Sequence, residues 1–215
     1  MHPLLPVLLA ATEGSFPPVD GGVTMLPPHR RALESIVSFT GHAYVSSRLG
    51  PEDLSDLEPD GYGAVLNPEI QLRMAGPDGA VGVVDVTMFA RGRGGGSLEP
   101  REDLDDHPRV RYARSIRDDV KVYGSAEGLV TIGLGLAYRL EMSIEISGNG
   151  IRGRDLIGQA LGLVPEGVPL FAAVSPGNSR SLRAFLSCGF VPIGSEVVIR
   201  SGSEGPAEPL LTAHE

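Results

Sequence analysis

The chain is poor in several residues that carry specialised chemistry. It has one cysteine (Cys188), one lysine (Lys121) and no tryptophan in 215 residues. A single cysteine excludes an intrachain disulfide and fits a reducing compartment, so a cytoplasmic location is expected. Cys188 lies just before Gly189 and Phe190 at an apolar helix end, the setting of a buried, inert thiol. The lone lysine beside many arginines reads as GC-rich coding. The net charge of −9, with no basic cluster interleaved with aromatics, argues against nucleic acid or an anionic membrane as partner. No apolar run is long enough to span a bilayer. His2 to Ala11 is apolar but short, lacks a basic leader and carries Pro3 and Pro6; it predicts a short packed helix. His29, His42 and His107 have no metal-ligand spacing, so each is expected on a helix or loop surface and no metal is expected. Gly-x-Ser-x-Gly, HExxH and Walker sequences do not occur.

At 41% hydrophobic residues the composition is that of an ordinary soluble domain with room for a core. Residues 14–28 are rich in glycine and proline and read as loop. Pro28 to Phe39 has helical spacing, with Leu33, Ile36 and Val37 on one face. His42 to Ser46 reads as a strand, and Pro68 to Ala75 as a helix started by Asn67. A strand is expected over Val81 to Phe89, then a glycine-rich, acidic and mobile loop from Arg91 to Asp106. Pro108 to Asp118 reads as a helix, and Val120 to Tyr123 with Gly128 to Leu136 as a hairpin. From Leu140 the pattern is strand, glycine loop, helix, strand, helix, strand, ending with Val191 to Arg200. That order predicts an α/β fold with a mixed sheet. Residues 201–215 hold two prolines and no Lys or Arg, and read as a disordered tail.

The densest signal runs from Leu140 to Phe190. Strand Leu140–Ile146 alternates: Leu140, Met142, Ile144 and Ile146 face one way, and Glu141, Ser143, Glu145 and Ser147 the other. That polar face is either solvated or chemical. Glu141 and Glu145 are the candidate bases. They stand about 13 Å apart at ~3.3 Å per residue, so they cannot serve one nitrogen together. The loop Gly148-Asn-Gly-Ile-Arg-Gly-Arg154 then leads into a helix from about Asp155 to Leu163. A glycine loop before a helix N-terminus aims backbone N–H groups at one spot and suits an anion. Gly148, Gly150 and Gly153 also spell the dinucleotide-binding fingerprint. The acid that fingerprint needs about 20 residues on is missing, because Ala172 to Pro176 carries none.

After strand Pro169–Val174 comes Asn178-Ser-Arg-Ser-Leu-Arg-Ala-Phe-Leu-Ser-Cys-Gly-Phe190. This segment resembles the late motif of the GNAT-superfamily N-acetyltransferases, with Asn178, Ser181, Phe185, Gly189 and Phe190 in register. Residues 120–200 also resemble GNAT proteins of high-GC actinobacteria. The resemblance implies a GNAT-like, mostly antiparallel mixed sheet flanked by helices, acetyl-CoA or another acyl-CoA as cofactor, and a small-molecule or peptide amine as acceptor. A homodimer is compatible with it. It implies a base role for Glu141 or Glu145, with Glu141 preferred. It implies cofactor contacts for Ile144, Ile146, Gly148, Gly150, Arg152, Gly153, Arg154, Asn178 and Ser181. Two departures stand out. In the loop motif's register, Gly148 takes the place of its first Arg or Gln and Ile151 that of its middle glycine. Phe185 stands where the family often has a general-acid tyrosine. A GNAT-like protein without acetyltransferase activity (a CoA sensor, an assembly component or altered chemistry) therefore stays open beside the enzyme. Residues 79–200 are read as the GNAT-like domain, 1–78 as an N-terminal extension on the substrate side and 201–215 as the tail.

Overall fold

A computed structural model describes residues 1–125, 128–146 and 152–202. Along the chain the elements are α1 (Leu4–Thr12), β1 (Val23–Leu26), β2 (Leu33–Phe39), β3 (His42–Ser46), α2 (Pro51–Leu54), α3 (Pro68–Ala75), β4 (Ala80–Val81), β5 (Asp85–Arg91), α4 (Pro108–Ile116), β6 (Asp118–Ser125), β7 (Gly128–Leu134), β8 (Leu140–Ile146), α5 (Gly153–Leu163), β9 (Pro169–Val174), α6 (Ser179–Ser187) and β10 (Val191–Arg200). The fold is mixed α/β. The chain divides into two compact units: residues 1–86 with the chain from Ile193 onward, and residues 87–192. Among the described residues, no helix is long and apolar enough to cross a membrane.

In the first unit the strands run β1-β3-β2-β10, with β4 pairing β10. β1 is parallel to β3; β2 is antiparallel to both β3 and β10. Ile36, Ala43, Val45, Val197 and Ile199 pack with Leu54 of α2 and Ile70, Met74 and Ala75 of α3 in one core cluster. Each fully buried large apolar side chain in this cluster contributes ~1.5–3 kcal/mol to the unit's stability. α3 starts where expected: the Asn67 side chain accepts from the Glu69 N–H at 3.0 Å, and Pro68 fills the first position. α1 buries Leu4, Leu8 and Ala11 at i, i+4 and i+7.

Three expectations are corrected here. Leu33–Phe39 is a strand with every residue buried, so the helical spacing of Leu33, Ile36 and Val37 was a by-product of a nearly continuous buried run. The stretch read as loop over 14–28 contains β1. The single strand expected over Val81 to Phe89 is two, β4 and β5, separated by Gly82 to Val84.

In the second unit the order is β5-β9-β8-β7-β6. The β6–β7 hairpin and the antiparallel β7–β8 pair follow the expected sequence of elements. α6 begins on an Asn178 cap. It ends with Gly189 at φ +93°, where the Phe190 N–H returns to the Phe185 carbonyl at 3.2 Å. The glycine-rich segment after β5 is built into this unit. Its N–H groups at Arg93, Gly94 and Gly96 bond the carbonyls of Leu161, Val164 and Gly162 at 2.8, 2.9 and 2.8 Å, which closes the C-terminal end of α5. A Cβ on Gly96 would stand 2.5 Å from the Gly162 carbonyl carbon, so only glycine fits that approach.

Candidate functional site

β8 is the spine of the candidate site. On one side it pairs antiparallel with β7 over its whole length, from Leu134↔Leu140 to Gly128↔Ile146. On the other it is parallel to β9, and Glu141↔Phe171 is the only registered pair among the described residues. From Met142 to Ile146, no β8–β9 pair is registered among the described residues, which leaves this stretch of β8 open on that side. Ile144 and Ile146 lie on this open stretch and are half-buried.

Glu141 is not on a solvated face. It is 4% exposed and held from both sides. Arg117 donates from Nε to Oε1 at 2.9 Å, and its Nη2 lies 2.6 Å from the same oxygen. Arg139 donates to Oε2 from Nε at 3.0 Å and from Nη2 at 2.8 Å. Burial pushes the carboxyl upward, but the Arg117 and Arg139 guanidiniums outweigh it and hold the pKa down at about 2. Arg117 also reaches Thr131 Oγ1 and Ser143 Oγ, each at 3.2 Å. The Arg139 guanidinium lies over the Phe171 ring at 5.2 Å. A carboxylate with both oxygens filled by guanidinium donors is a fixed anion, with no lone pair free to take a proton.

Glu145 is in a different setting. Its side chain is 25% exposed, accepts from Arg109 Nε at 3.2 Å and faces His107 Nε2 at 3.5 Å. His107 caps α4: its Nδ1 accepts from the Arg109 backbone N–H at 3.2 Å. Assigned from that bond, the neutral ring carries its proton on Nε2, pointing at Glu145. Sequence reasoning left His107 as a surface histidine. The His107-Pro108 cap was the available signal that its ring is held in place.

The calls on Gly148 and Gly150 lie outside the described residues. Beyond them, α5 starts after Arg152, and its first turn has no side-chain cap. A Cβ on Gly153 would stand 3.8 Å from Ala184 Cβ and 4.0 Å from Ile144 Cδ1, so this helix end sits between β8 and α6. Arg152 and Arg154 are exposed, and Arg154 Nε lies 3.5 Å from Asp155 Oδ1 in the same first turn. Asn178 accepts from the Ser181 N–H at 3.0 Å, a helix cap. Phe185 is 3% exposed and meets Phe190 edge-on at 4.8 Å. Cys188 is buried, with its Sγ 3.2 Å from the Arg154 carbonyl oxygen. The structure thus brings Ile144, Gly153 and the α6 face together, and joins Glu145 to His107 and Arg109. It puts Glu141 in a separate, closed ion cluster.

No family model matches the sequence, and no curated protein matches it. Solved structures that match include an acetyltransferase from the GNAT family from Colwellia psychrerythraea, at 10% identity and TM-score 0.35, over 56% of this chain and 57% of that one. A functionally unknown conserved protein from Staphylococcus epidermidis ATCC 12228 matches at 14% identity and TM-score 0.38, over 62% of this chain and 66% of that one. The chain therefore spans less than two thirds of the length of either.

Proposed function

We propose that residues 87–192 bind an acyl-CoA along the open stretch of β8 and transfer its acyl group to an amine. The observation that carries this reading is that Glu141↔Phe171 is the last registered β8–β9 pair among the described residues. On the side away from β7, this leaves the edge of β8 beside Ile144 and Ile146 with no registered strand pair among the described residues, the kind of edge an extended amide-bearing arm requires. The uncapped start of α5, with Arg152 and Arg154 beside it, suits the cofactor's phosphates, and Asp155 opposes them. Residues present therefore fit the group. Gly148 and Gly150 would extend the phosphate cradle, and Asn178 and Ser181 the pantetheine contacts.

Bound there, an acyl-CoA would supply an activated thioester carbonyl. Of the two acids read as bases, Glu145 takes the role, because Glu141 is locked between Arg117 and Arg139. Glu145 would accept the amine's proton, directly or through water, while Arg109 and the His107 Nε2–H hold its carboxylate in place. Phe185 has no proton to give the departing sulfur. That favours the second reading, in which the site binds CoA but transfers slowly or not at all.

Calorimetry with acetyl-CoA and with CoA tests binding. Wild type should bind both, more weakly at high salt, and Gly153→Glu should lose binding by ~100-fold or more, since it puts a like charge and bulk at the phosphate end. Equal affinity in the two proteins would refute the reading.

A further inference from the structure

In the first unit, three side chains form a chain of hydrogen bonds of a familiar chemical kind. His42 Nδ1 lies 2.8 Å from Asp20 Oδ1, and His42 Nε2 lies 3.0 Å from Thr24 Oγ1. The Gly22 N–H donates to the same Asp20 oxygen at 2.8 Å. The His42 bond, then the Gly22 N–H, hold the Asp20 carboxyl below its usual range, so it is ionised and can only accept. The neutral His42 ring must therefore carry its proton on Nδ1. Its Nε2 lone pair then faces the Thr24 hydroxyl, which donates to it. This is the arrangement that prepares a hydroxyl for attack: a nucleophile, a base within reach, and an anion that orients the base.

The surroundings favour an external ligand. His42 is 7% exposed, whereas Thr24 is half-buried on β1, the outer strand of this unit's order. Gly22 makes the arrangement fit: a Cβ there would stand 2.8 Å from Asp20 Oδ1 and 3.0 Å from His42 Cε1. Three large apolar side chains beside it stand in solvent, Phe16 at 52%, Val19 at 64% and Tyr62 at 67% exposure. They are contiguous with the triad. Val19 Cγ1 and Tyr62 Cε1 converge on Gly41, next to His42, and Tyr62 Cε2 on Gly21, next to Asp20. Phe16 connects through Phe39 and Tyr44 to the His42 ring, with centroid steps of 6.3, 6.1 and 5.0 Å. An exposed apolar rim next to a primed hydroxyl fits a substrate that is apolar on one side of its reacting carbonyl.

We propose that Thr24, His42 and Asp20 form a second reactive centre, which hydrolyses esters of short apolar acids through an acyl-Thr24 intermediate. Thr24 Oγ attacks the ester carbonyl carbon, and its proton moves to His42 Nε2. The ester C–O bond breaks, and the leaving alcohol takes that proton. Water then attacks the acyl-Thr24 carbonyl and gives its proton to His42. Thr24 leaves, recovers the proton, and a carboxylic acid is released. Asp20 stays ionised throughout and stabilises the imidazolium.

The test is hydrolysis of p-nitrophenyl butyrate by the full chain, with fluorophosphonate labelling located by peptide mass. Neither assay contains CoA, so the outcome is independent of the acyl-CoA reading. The expected results are a single label on Thr24 and a rate that falls by ~100-fold or more in Thr24→Val and in Asp20→Asn, the latter because the amide breaks the tautomer choice. Thr24→Ser should be labelled at least as fast as wild type, since it keeps the hydroxyl and loses the methyl that crowds it. Circular dichroism of all three variants should match wild type. Absence of a label at Thr24, or a Thr24→Val rate equal to wild type, overturns the proposal.

Discussion

Replacing Glu141 by Gln measures what the buried ion cluster contributes, and the structure sets the magnitude. Gln has the shape of a protonated glutamate, so the substitution mimics the state that native Glu141 reaches only in strong acid. Its carboxyl is held at about 2 against an ordinary 4.5; roughly 2.5 units at ~1.36 kcal/mol each make the charged form worth about 3 kcal/mol to the fold. Removing one partner of a buried pair costs ~3–5 kcal/mol on general grounds, which agrees. The folded pKa is depressed. The contribution is therefore complete above the unfolded value and is lost as pH falls from about 4.5 to about 2. Urea unfolding should show Glu141→Gln destabilised by about 3 kcal/mol at pH 7, with the slope m unchanged, and by about half of that near pH 3. A difference below about 1 kcal/mol at pH 7, or one that does not shrink with acid, would refute the account of Glu141 as an anchored anion.

Two further outcomes follow from the geometry. On the proposed acyl-CoA reading, Phe185→Tyr, read by thiol release from acetyl-CoA with a panel of amines, should raise a slow wild-type rate by ~10-fold or more, because it adds a proton donor on α6; fast wild-type turnover unchanged by the hydroxyl would sink that reasoning. Gly96→Ala should lower stability by ~1–3 kcal/mol in thermal or urea unfolding, because its Cβ meets the Gly162 backbone at 2.5 Å; a neutral substitution would show that the contact yields easily.

Strands with a regular face were legible in the sequence. β8, β9 and β10 occupy the ranges their patterns predicted, and α3 begins at the cap that Asn67 and Pro68 announce. β2 was not legible, because period 2 appears only when one face is wet, and all seven of its residues are buried. The candidate site was half legible for a similar reason. Alternation put Glu141 and Glu145 on one face but could not say what covers that face. Glu141 is closed off by Arg117, 24 positions earlier in the chain, and by its neighbour Arg139. Glu145 meets Arg109, 36 positions earlier. The Thr24–His42–Asp20 chain was invisible for the same cause, since only the β1–β3 pairing brings Thr24 to the strand that carries His42.

The glycine-rich run from Gly92 to Gly96 has the composition of a spacer, and an engineer would choose it for a tag, a protease site or an inserted domain. The fold makes it a poor choice. Its amides are the terminal partners of α5, so any insertion that lifts them away uncaps that helix at Leu161 to Val164. A library of random insertions across the chain should therefore show a gap at this flexible-looking stretch, and a cleavage sequence grafted there would stay uncut until α5 itself begins to unwind.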